Sequence, residues 1–207
     1  MRSVRGTSFA SLSQAVVIDV ETTGLSPSRD RIVAVGAIRA DFDALLSDQE
    51  AELPNYYGLF DPERSIPTEA SNIHGIFDFD VEGEGNFAEN AEMLLEFLEG
   101  LPIVAHNCEF DAGFLSREFE RAGFKHAIER PLYCTMKRAC HYVSRKGKNR
   151  TRISLEDACS EFRVPFYRGG YHDAMEDAVA VTKLAGTLVA YDREATKKVK
   201  RNKWTGY

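Results

Sequence analysis

Two acids at the end of an apolar segment are the first residues in this sequence that could do chemistry. In AVVIDVETTGL, residues 15–25, Asp19 and Glu21 follow a run of branched aliphatic residues that is typical of a buried strand. Side chains two positions apart on a strand share a face, so the two carboxylates should lie side by side. A divalent cation such as Mg²⁺ or Mn²⁺ would relieve their repulsion. Taken alone, such a pair is more often a solvated strand end.

Two later segments add further acids and a histidine. Asp111, in IVAHNCEFDAGFL, follows an apolar strand and opens a helix, whose dipole alone could explain a carboxylate there. The carboxyl edge of a sheet is also where α/β proteins bind ligands. In GGYHDAMEDAVAVTKLA, Asp177 lies in the first turns of a helix that His172 precedes. The glycine-rich loop would let this imidazole reach a site at Asp177, although an isolated loop histidine is more often a surface residue.

The elements that must position these residues follow from periodicity and capping signals. Three early strands, followed by strands that alternate with helices, predict a mixed sheet with helices packed on it. The predicted strands cover 15–20, 31–42, 53–60, 102–107 and 131–134. Six helices are predicted. The first begins near Thr68, the second runs from the Asn86 cap to Gly100, and the next two cover 111–123 and 135–142. The fifth follows the Ser154 cap, and the last starts near Asp173.

Composition predicts one globular domain and no membrane segment. The chain has 207 residues, of which 43% are hydrophobic, and no apolar run approaches the roughly 20 residues of a membrane-spanning helix. Residues 1–14 are expected to be a disordered leader rather than a transit peptide, 15–191 the domain, and 192–207 a basic tail that frays or binds a partner. Without a secretory signal we expect a cytoplasmic protein, whose cysteines are reduced core thiols rather than disulfide or zinc ligands.

The charge distribution is uneven. The net charge of −6 argues at first against a nucleic-acid partner. Between Lys137 and Arg152, however, there are seven basic residues and no acid. Such a patch can bind phosphates on an acidic protein, although a solvated basic loop is the equal alternative. The residues expected to contact substrate phosphates are Arg145, Lys146, Lys148 and Arg150.

Three segments together resemble a known family. DVETTGL, HNCEFD and YHDAMEDA are similar, in order and spacing, to the three motifs of the DEDDh 3′-to-5′ exonucleases, which include the epsilon proofreading subunit of DNA polymerase III and RNase T. The resemblance covers about residues 15–190, and IPTEASNIHGI and RISLEDACSEF agree with it. Val20 and Cys108 depart from the commonest residues of the family, and neither departure removes an acid.

The resemblance implies an α/β ribonuclease-H-like three-layer fold, with a mixed five-stranded sheet flanked by helices. It also implies a two-metal phosphodiester hydrolysis with Mg²⁺ or Mn²⁺, in which 5′-mononucleotides leave the 3′ end of single-stranded or frayed DNA. By analogy, His172 would be the general base. The implied metal ligands are Asp19, Glu21, Asp111 and Asp177, and the implied terminal-nucleotide pocket comprises Thr22, Leu25, His74, Asn107 and Phe110. RNA is an alternative substrate, and a polymerase or repair protein is an expected partner.

Two other functions fit part of the pattern. DVETT superficially resembles the D-x-D-x-T nucleophile motif of haloacid-dehalogenase-like phosphatases, but Glu21 replaces the second aspartate and that class has no use for His172. A nuclease fold that has become a binding module would be expected to lack a metal-site acid. All the acids and the histidine are present here, so the enzyme is the favoured interpretation.

Overall fold

The computed structural model describes residues 7–47, 52–145, 147 and 150–204. Within them, one mixed sheet has the strand order β3-β2-β1-β4-β5. β2 is antiparallel to both β1 and β3, while β1–β4 and β4–β5 are parallel. The strands are β1 (Gln14–Thr22), β2 (Ile32–Asp41), β3 (Asn55–Leu59), β4 (Ile103–Ala105) and β5 (Leu132–Cys134).

Helices cover both faces of this sheet. Val16, Val17 and Ile18 are consecutive on β1 and all fully buried, and since neighbouring strand residues point to opposite faces, neither face is open to solvent. The described helices are α1 (Phe42–Ser47), α2 (Thr68–His74), α3 (Asp78–Val81), α4 (Phe87–Leu98), α5 (Cys108–Arg121), α6 (Thr135–Arg145), α7 (Leu155–Glu161) and α8 (Ala174–Trp204). The predicted mixed five-stranded sheet with flanking helices is therefore confirmed.

Two short helices, α1 and α3, were not expected from the sequence. Asp41 Oδ1 accepts hydrogen bonds from the backbone amides of Asp43 and Ala44 and so satisfies the start of α1. At α3, Asp80 Oδ2 accepts from the backbone amide of Phe77. Each helix thus has its own aspartate that accepts hydrogen bonds at its start, and each is too short for hydrophobic periodicity to reveal it.

The prediction of a disordered leader is wrong for residues 8–14. Phe9 and Leu12 are buried in the core, and Gln14 begins β1. The backbone amide of Phe9 donates to Asp192 Oδ2 over 2.6 Å, and this buried carboxylate also pairs with Arg138. Leader residues 1–6 lie outside the described residues.

The predicted boundary between the domain and a basic tail, at 191/192, falls inside one continuous helix. α8 runs through Trp204, and the buried Asp192 belongs to its packed part. The prediction that the chain frays directly after residue 191 is therefore wrong, whereas 205–207 lie outside the described residues.

The cysteines are reduced, as predicted. All four, Cys108, Cys134, Cys140 and Cys159, are buried and free. No helix in the described ranges is long and apolar enough to cross a membrane.

Gly36 determines how closely α8 approaches the sheet. It lies on β2 directly opposite Asp19 of β1. A Cβ atom at this position would come within 2.3 Å of the backbone oxygen of Ala174, the first residue of α8. Because real Cβ atoms do not come so close to backbone, only glycine permits this contact. The missing side chain therefore brings the N-terminus of α8, and Asp177 with it, next to β1.

We expect Gly36→Ala to lower the free energy of unfolding by about 1–3 kcal/mol, because backbone atoms of α8 must move to make room. Gly186→Ala is the matched control, since its nearest neighbour would be Phe42 Cδ1 at 4.0 Å. In a helix interior that change should be neutral or stabilise by up to about 1 kcal/mol. Urea-induced unfolding in EDTA measures both. Equal stability of the two variants would contradict the close-approach role of Gly36.

Candidate active site

The carboxyl end of β1 brings the first two acids into the site. Asp19 is paired in register with Gly36, and the register with β2 shifts between Glu21 and Thr22. Glu21 and Thr22, which flank this irregularity, are both buried. A local kink of this kind re-aims side chains and is common beside active sites.

Two helix starts supply the other acids. Asp111 lies in the first turn of α5 and is buried, and Asp177 lies buried in the first turn of α8. Asp173 Oδ1 accepts from the backbone amides of Met175 and Glu176 at 2.9 and 2.8 Å and thereby caps α8.

The four acids crowd one another in a poorly solvated place. Burial raises the pKa of Glu21 to about 8, with repulsion from Asp177 as a further cause. Burial also raises the pKa of Asp111 to about 7, against hydrogen bonds from backbone amides that lower it. The pKa of Asp177 rises to about 6 through burial, and Arg168 opposes the shift. The pKa of Asp19 lies well above its usual range because of burial and the neighbouring acids, Asp111 first.

The donor set suits a hard divalent cation. One ligand atom each from Glu21, His172 and Asp177 lies within 4.8 Å of the others. Glu21 Oε1 is buried without any hydrogen-bond partner. A buried acceptor oxygen without a partner costs free energy, which a bound cation would offset. Carboxylate oxygens are the ligands that Mg²⁺ and Mn²⁺ prefer. Asp19 and Asp111 are electrostatic neighbours of this group rather than members of it.

His172 lies beside Asp177, in the loop before α8. Its backbone amide donates to the carbonyl oxygen of Ile73 over 2.8 Å, which ties the loop before α8 to α2. Its Nδ1 lies 3.7 Å from Asp177 Oδ2, and 45% of the side chain is exposed. Burial, and then the charge of Arg168, lower the pKa of His172 below its usual value. The imidazole is therefore neutral at neutral pH and can accept a proton.

A cavity of about 530 Å³ opens over the acids and His172. His74 accepts a hydrogen bond from the backbone amide of Ile76 at Nδ1 over 3.0 Å, so the neutral ring carries its proton on Nε2, which is buried beside the backbone of Thr22. Leu25 is 84% exposed at the rim. All five residues expected in the nucleotide pocket line this cavity: Thr22, Leu25, His74, Asn107 and Phe110.

Sequence reasoning missed three residues that line the same cavity, namely Arg168, Glu156 and His106. Arg168 Nη2 donates to both carboxylate oxygens of Asp177, at 2.9 and 2.8 Å. His106 lies within 3.0 Å of both Thr135 Oγ1 and the carbonyl oxygen of Ile153 and so links β4 to the segment before α7. The sequence signal for His106 was its position directly before Asn107, at the carboxyl end of β4.

A second cavity, of about 640 Å³, adjoins the first and shares His106 and Asn107 with it. Arg150 and Arg152 line it, and Arg150 pairs with Asp157 at 3.3 Å. Of the predicted phosphate-binding patch, Arg145 and Arg150 are exposed, whereas Lys146 and Lys148 lie outside the described residues. A role for this patch toward phosphates stays a prediction.

Comparison with known proteins assigns this fold and site to the class of exonucleases. A family model described as an exonuclease, RNase T, matches residues 16–185. The chain therefore belongs to the RNase T exonuclease family, as its three motifs predicted. The membership confirms the predicted 3′-to-5′ exonuclease class and sets aside the dehalogenase-like alternative.

Individual relatives agree with this class. The epsilon subunit of DNA polymerase III from Escherichia coli is 27% identical over 173 residues, which cover 81% of this chain and 68% of the relative. The epsilon subunit of Rickettsia felis is 28% identical and covers 90% of this chain and 79% of its own length. The 3′-5′ exonuclease DinG of Bacillus subtilis is 39% identical over 53% of this chain, which corresponds to only 11% of DinG.

Solved structures confirm the ribonuclease-H-like architecture. Exonuclease I of E. coli in complex with a dT13 oligonucleotide superposes with a TM-score of 0.68 at 22% identity, covering 90% of this chain and 43% of that one. A zinc-bound complex of exonuclease I with single-stranded DNA gives a TM-score of 0.66 at 23% identity, over 86% of this chain and 42% of the other. The chain thus spans less than half of exonuclease I.

Because the acids are crowded, the ionisation of Glu21 should make the free energy of unfolding depend on pH, and Glu21→Gln should remove this dependence. The folded-state pKa of about 8 exceeds the ordinary value of 4.5, so Glu21 favours folding below about pH 4.5 and loses this contribution as pH rises through about 8. In EDTA, Glu21→Gln should therefore gain stability relative to the native chain, by about 1 kcal/mol or more between pH 6 and pH 8.

Urea unfolding at a series of pH values measures this gain. Glu120→Gln, which changes an exposed glutamate on α5, is the matched control and should show no pH-dependent difference from the native chain. A gain for Glu21→Gln that stayed constant across pH would contradict the crowding.

Proposed function

We propose that this chain is a divalent-metal-dependent 3′-to-5′ exonuclease that releases 5′-mononucleotides from single-stranded or frayed DNA. The observation that supports this most directly is the set of crowded carboxylates beneath a cavity of about 530 Å³, a volume within the range of roughly 300–1,000 Å³ typical of ligand sites. The proposed metal ligands are Asp19, Glu21, Asp111 and Asp177. Glu21 and Asp177 already lie in the group of ligand atoms within 4.8 Å, and Asp19 and Asp111, which act on that group electrostatically, would complete the site. The proposed cations are Mg²⁺ or Mn²⁺.

The proposed chemistry is hydrolysis of the last phosphodiester bond. Two bound cations would supply an activated water and neutralise charge on the phosphate. His172 takes the proton from the attacking water, whose oxygen becomes part of the 5′-phosphate of the leaving nucleotide. The bond between phosphorus and the upstream O3′ breaks, and O3′ takes a proton from solvent. Because the pKa of His172 is lowered, the imidazole is available as a base at neutral pH.

The walls of the cavity fit a terminal nucleotide. Phe110 and Leu25 offer apolar surface to a base and a sugar. His74 offers a buried N–H donor at Nε2 beside the backbone of Thr22, and a ligand acceptor there would give it a well-aligned hydrogen bond. Thr22 donates its hydroxyl to the carbonyl oxygen of Gly24 over 2.7 Å and shapes the turn that presents Leu25. Asn107 lines both cavities and would lie where the strand passes from one to the other.

DNA is the proposed substrate, with RNA as the alternative that the assay separates. The names of the relatives support DNA, since two are DNA polymerase III epsilon subunits. A solved neighbour also holds a dT13 oligonucleotide. The same relatives support a polymerase as partner, with a repair protein as the alternative. The cytoplasmic location stays a prediction.

The test is product analysis on single-stranded DNA and RNA of the same sequence, labelled at the 5′ end, with Mg²⁺, Mn²⁺ or EDTA. We expect a ladder that shortens from the 3′ end, 5′-mononucleotide products, and no turnover in EDTA. Asp19→Asn should abolish turnover. His172→Gln should lower kcat by about 10²–10⁴-fold at neutral pH, with partial recovery at higher pH, where hydroxide competes.

Glu120→Gln serves as the matched control, since it removes a carboxylate from the same helix that carries Asp111 without approaching the cavity, and it should cleave at the native rate. Turnover that persists in EDTA, or an Asp19→Asn variant that keeps native activity, would refute the proposed metal-dependent reaction.

A further inference from the structure

Arg168 occupies an unusual place among the acids of the site. It belongs to the loop between α7 and α8, and only 9% of its side chain is exposed. Its Nη2 contacts both oxygens of Asp177, and its Nε lies 2.8 Å from Glu156 Oε1. The guanidinium carbon also lies 5.5 Å from the ring centre of Phe166. Burial and these contacts hold the guanidinium at the floor of the cavity.

The charge of Arg168 compensates the acid cluster while no cation is bound. The guanidinium opposes the upward pKa shifts of Asp19, Glu21 and Asp177. Buried charges are tolerated only when they are paired. One arginine, however, offers a single positive charge to four acids, so the compensation is incomplete.

The same contact conflicts with metal binding, on which this inference rests through the proposed function. A cation at Asp177 needs carboxylate oxygens as ligands, and Arg168 already donates to both of them. The guanidinium and a divalent cation also repel each other at short range. We therefore expect metal loading to displace Arg168 from Asp177.

A displaced Arg168 has donors to offer. Its Nη1 is buried and has no hydrogen-bond partner even while Nη2 is engaged, so the protein satisfies only part of the guanidinium. The exposed Glu156 can keep its contact with Nε while the rest of the group moves. A phosphate is the acceptor that a guanidinium recognises best, because two parallel N–H groups match two oxygens.

We propose that Arg168 pairs with Asp177 in the metal-free protein and, once a cation has displaced it, binds the phosphate of the terminal nucleotide. Arg168 thereby couples the two binding events. It weakens metal binding to the empty site and strengthens nucleotide binding to the loaded site. By linkage, the nucleotide tightens metal binding by the same factor by which the metal tightens nucleotide binding.

The first measurement is the affinity for Mn²⁺ alone, by titration calorimetry of the metal-free chain. Without the competing guanidinium, Arg168→Gln should bind Mn²⁺ more tightly than the native chain, by about tenfold if the lost pairing amounts to about 1.4 kcal/mol. Arg168→Lys keeps the charge but not the fork and should fall between the two, and it serves as the second variant if Arg168→Gln does not fold. The control, Arg163→Gln, removes an exposed arginine from the turn after α7 and should leave the affinity unchanged.

The second measurement is nucleotide binding with saturating Mn²⁺. Thymidine 5′-monophosphate, the class of product that the proposed reaction releases, cannot be cleaved further, and thymidine is the matched ligand without phosphate. Arg168→Gln should weaken binding of the monophosphate by about tenfold, which corresponds to about 1.4 kcal/mol. Binding of thymidine should not change.

The outcomes separate this inference from the function on which it rests. Native and Arg168→Gln chains that bind Mn²⁺ equally tightly would overturn the competition at Asp177, while metal-dependent cleavage could still stand. Equal weakening for monophosphate and thymidine would overturn the phosphate contact. A native chain that bound no Mn²⁺ would overturn both this inference and the metal-dependent function.

Discussion

The burial of four carboxylates that also repel one another is the constraint on which this structure depends. Ordinary folding would separate such acids or expose them to water, because burial of unpaired charge is costly. Here the pKa values of Glu21 and Asp111 rise to about 8 and about 7 instead. The chain thus stores a local instability at neutral pH that a divalent cation would relieve. Strongly shifted acids in a cavity are a mark of functional sites.

The fold supplies the rigidity that keeps the acids together. β1 is the central strand of the sheet and is buried on both faces, so the carboxylates at its end cannot move apart without disrupting the core. Gly36 admits the N-terminus of α8 to within backbone contact of β2. The Asp192 pairing with Arg138 and Phe9 anchors the far part of α8. The stability of the surrounding strands and helices offsets the free-energy cost of burying the four acids.

The sequence predicted the acids well because each lies at a recognisable place. Asp19 and Glu21 end an apolar strand, and Asp111 and Asp177 begin amphipathic helices, so secondary structure alone brings them to one edge of the sheet. The three motifs then made the family recognisable, and the family model bears this out. Periodicity also gave every strand and the longer helices.

What the sequence could not reveal depends on contacts between distant residues. Arg168 lies in a loop without periodicity, and only the folded chain shows its pairing with Asp177. The packing of Phe9 is equally hidden, because a single aromatic residue in a polar leader gives no strand or helix pattern. The burial of Asp192, at the start of the predicted tail, is also hidden, because sequence reasoning assigns an acid to solvent.

The most direct test of the central claim is the proton release that accompanies Mn²⁺ binding, measured calorimetrically in two buffers of different ionisation enthalpy. A cation can bind these acids only after they lose their protons. With pKa values of about 8 for Glu21 and about 7 for Asp111, we predict release of about one proton or more per chain near neutral pH, and markedly less at about pH 9. Binding of Mn²⁺ without proton release near neutral pH would contradict the account.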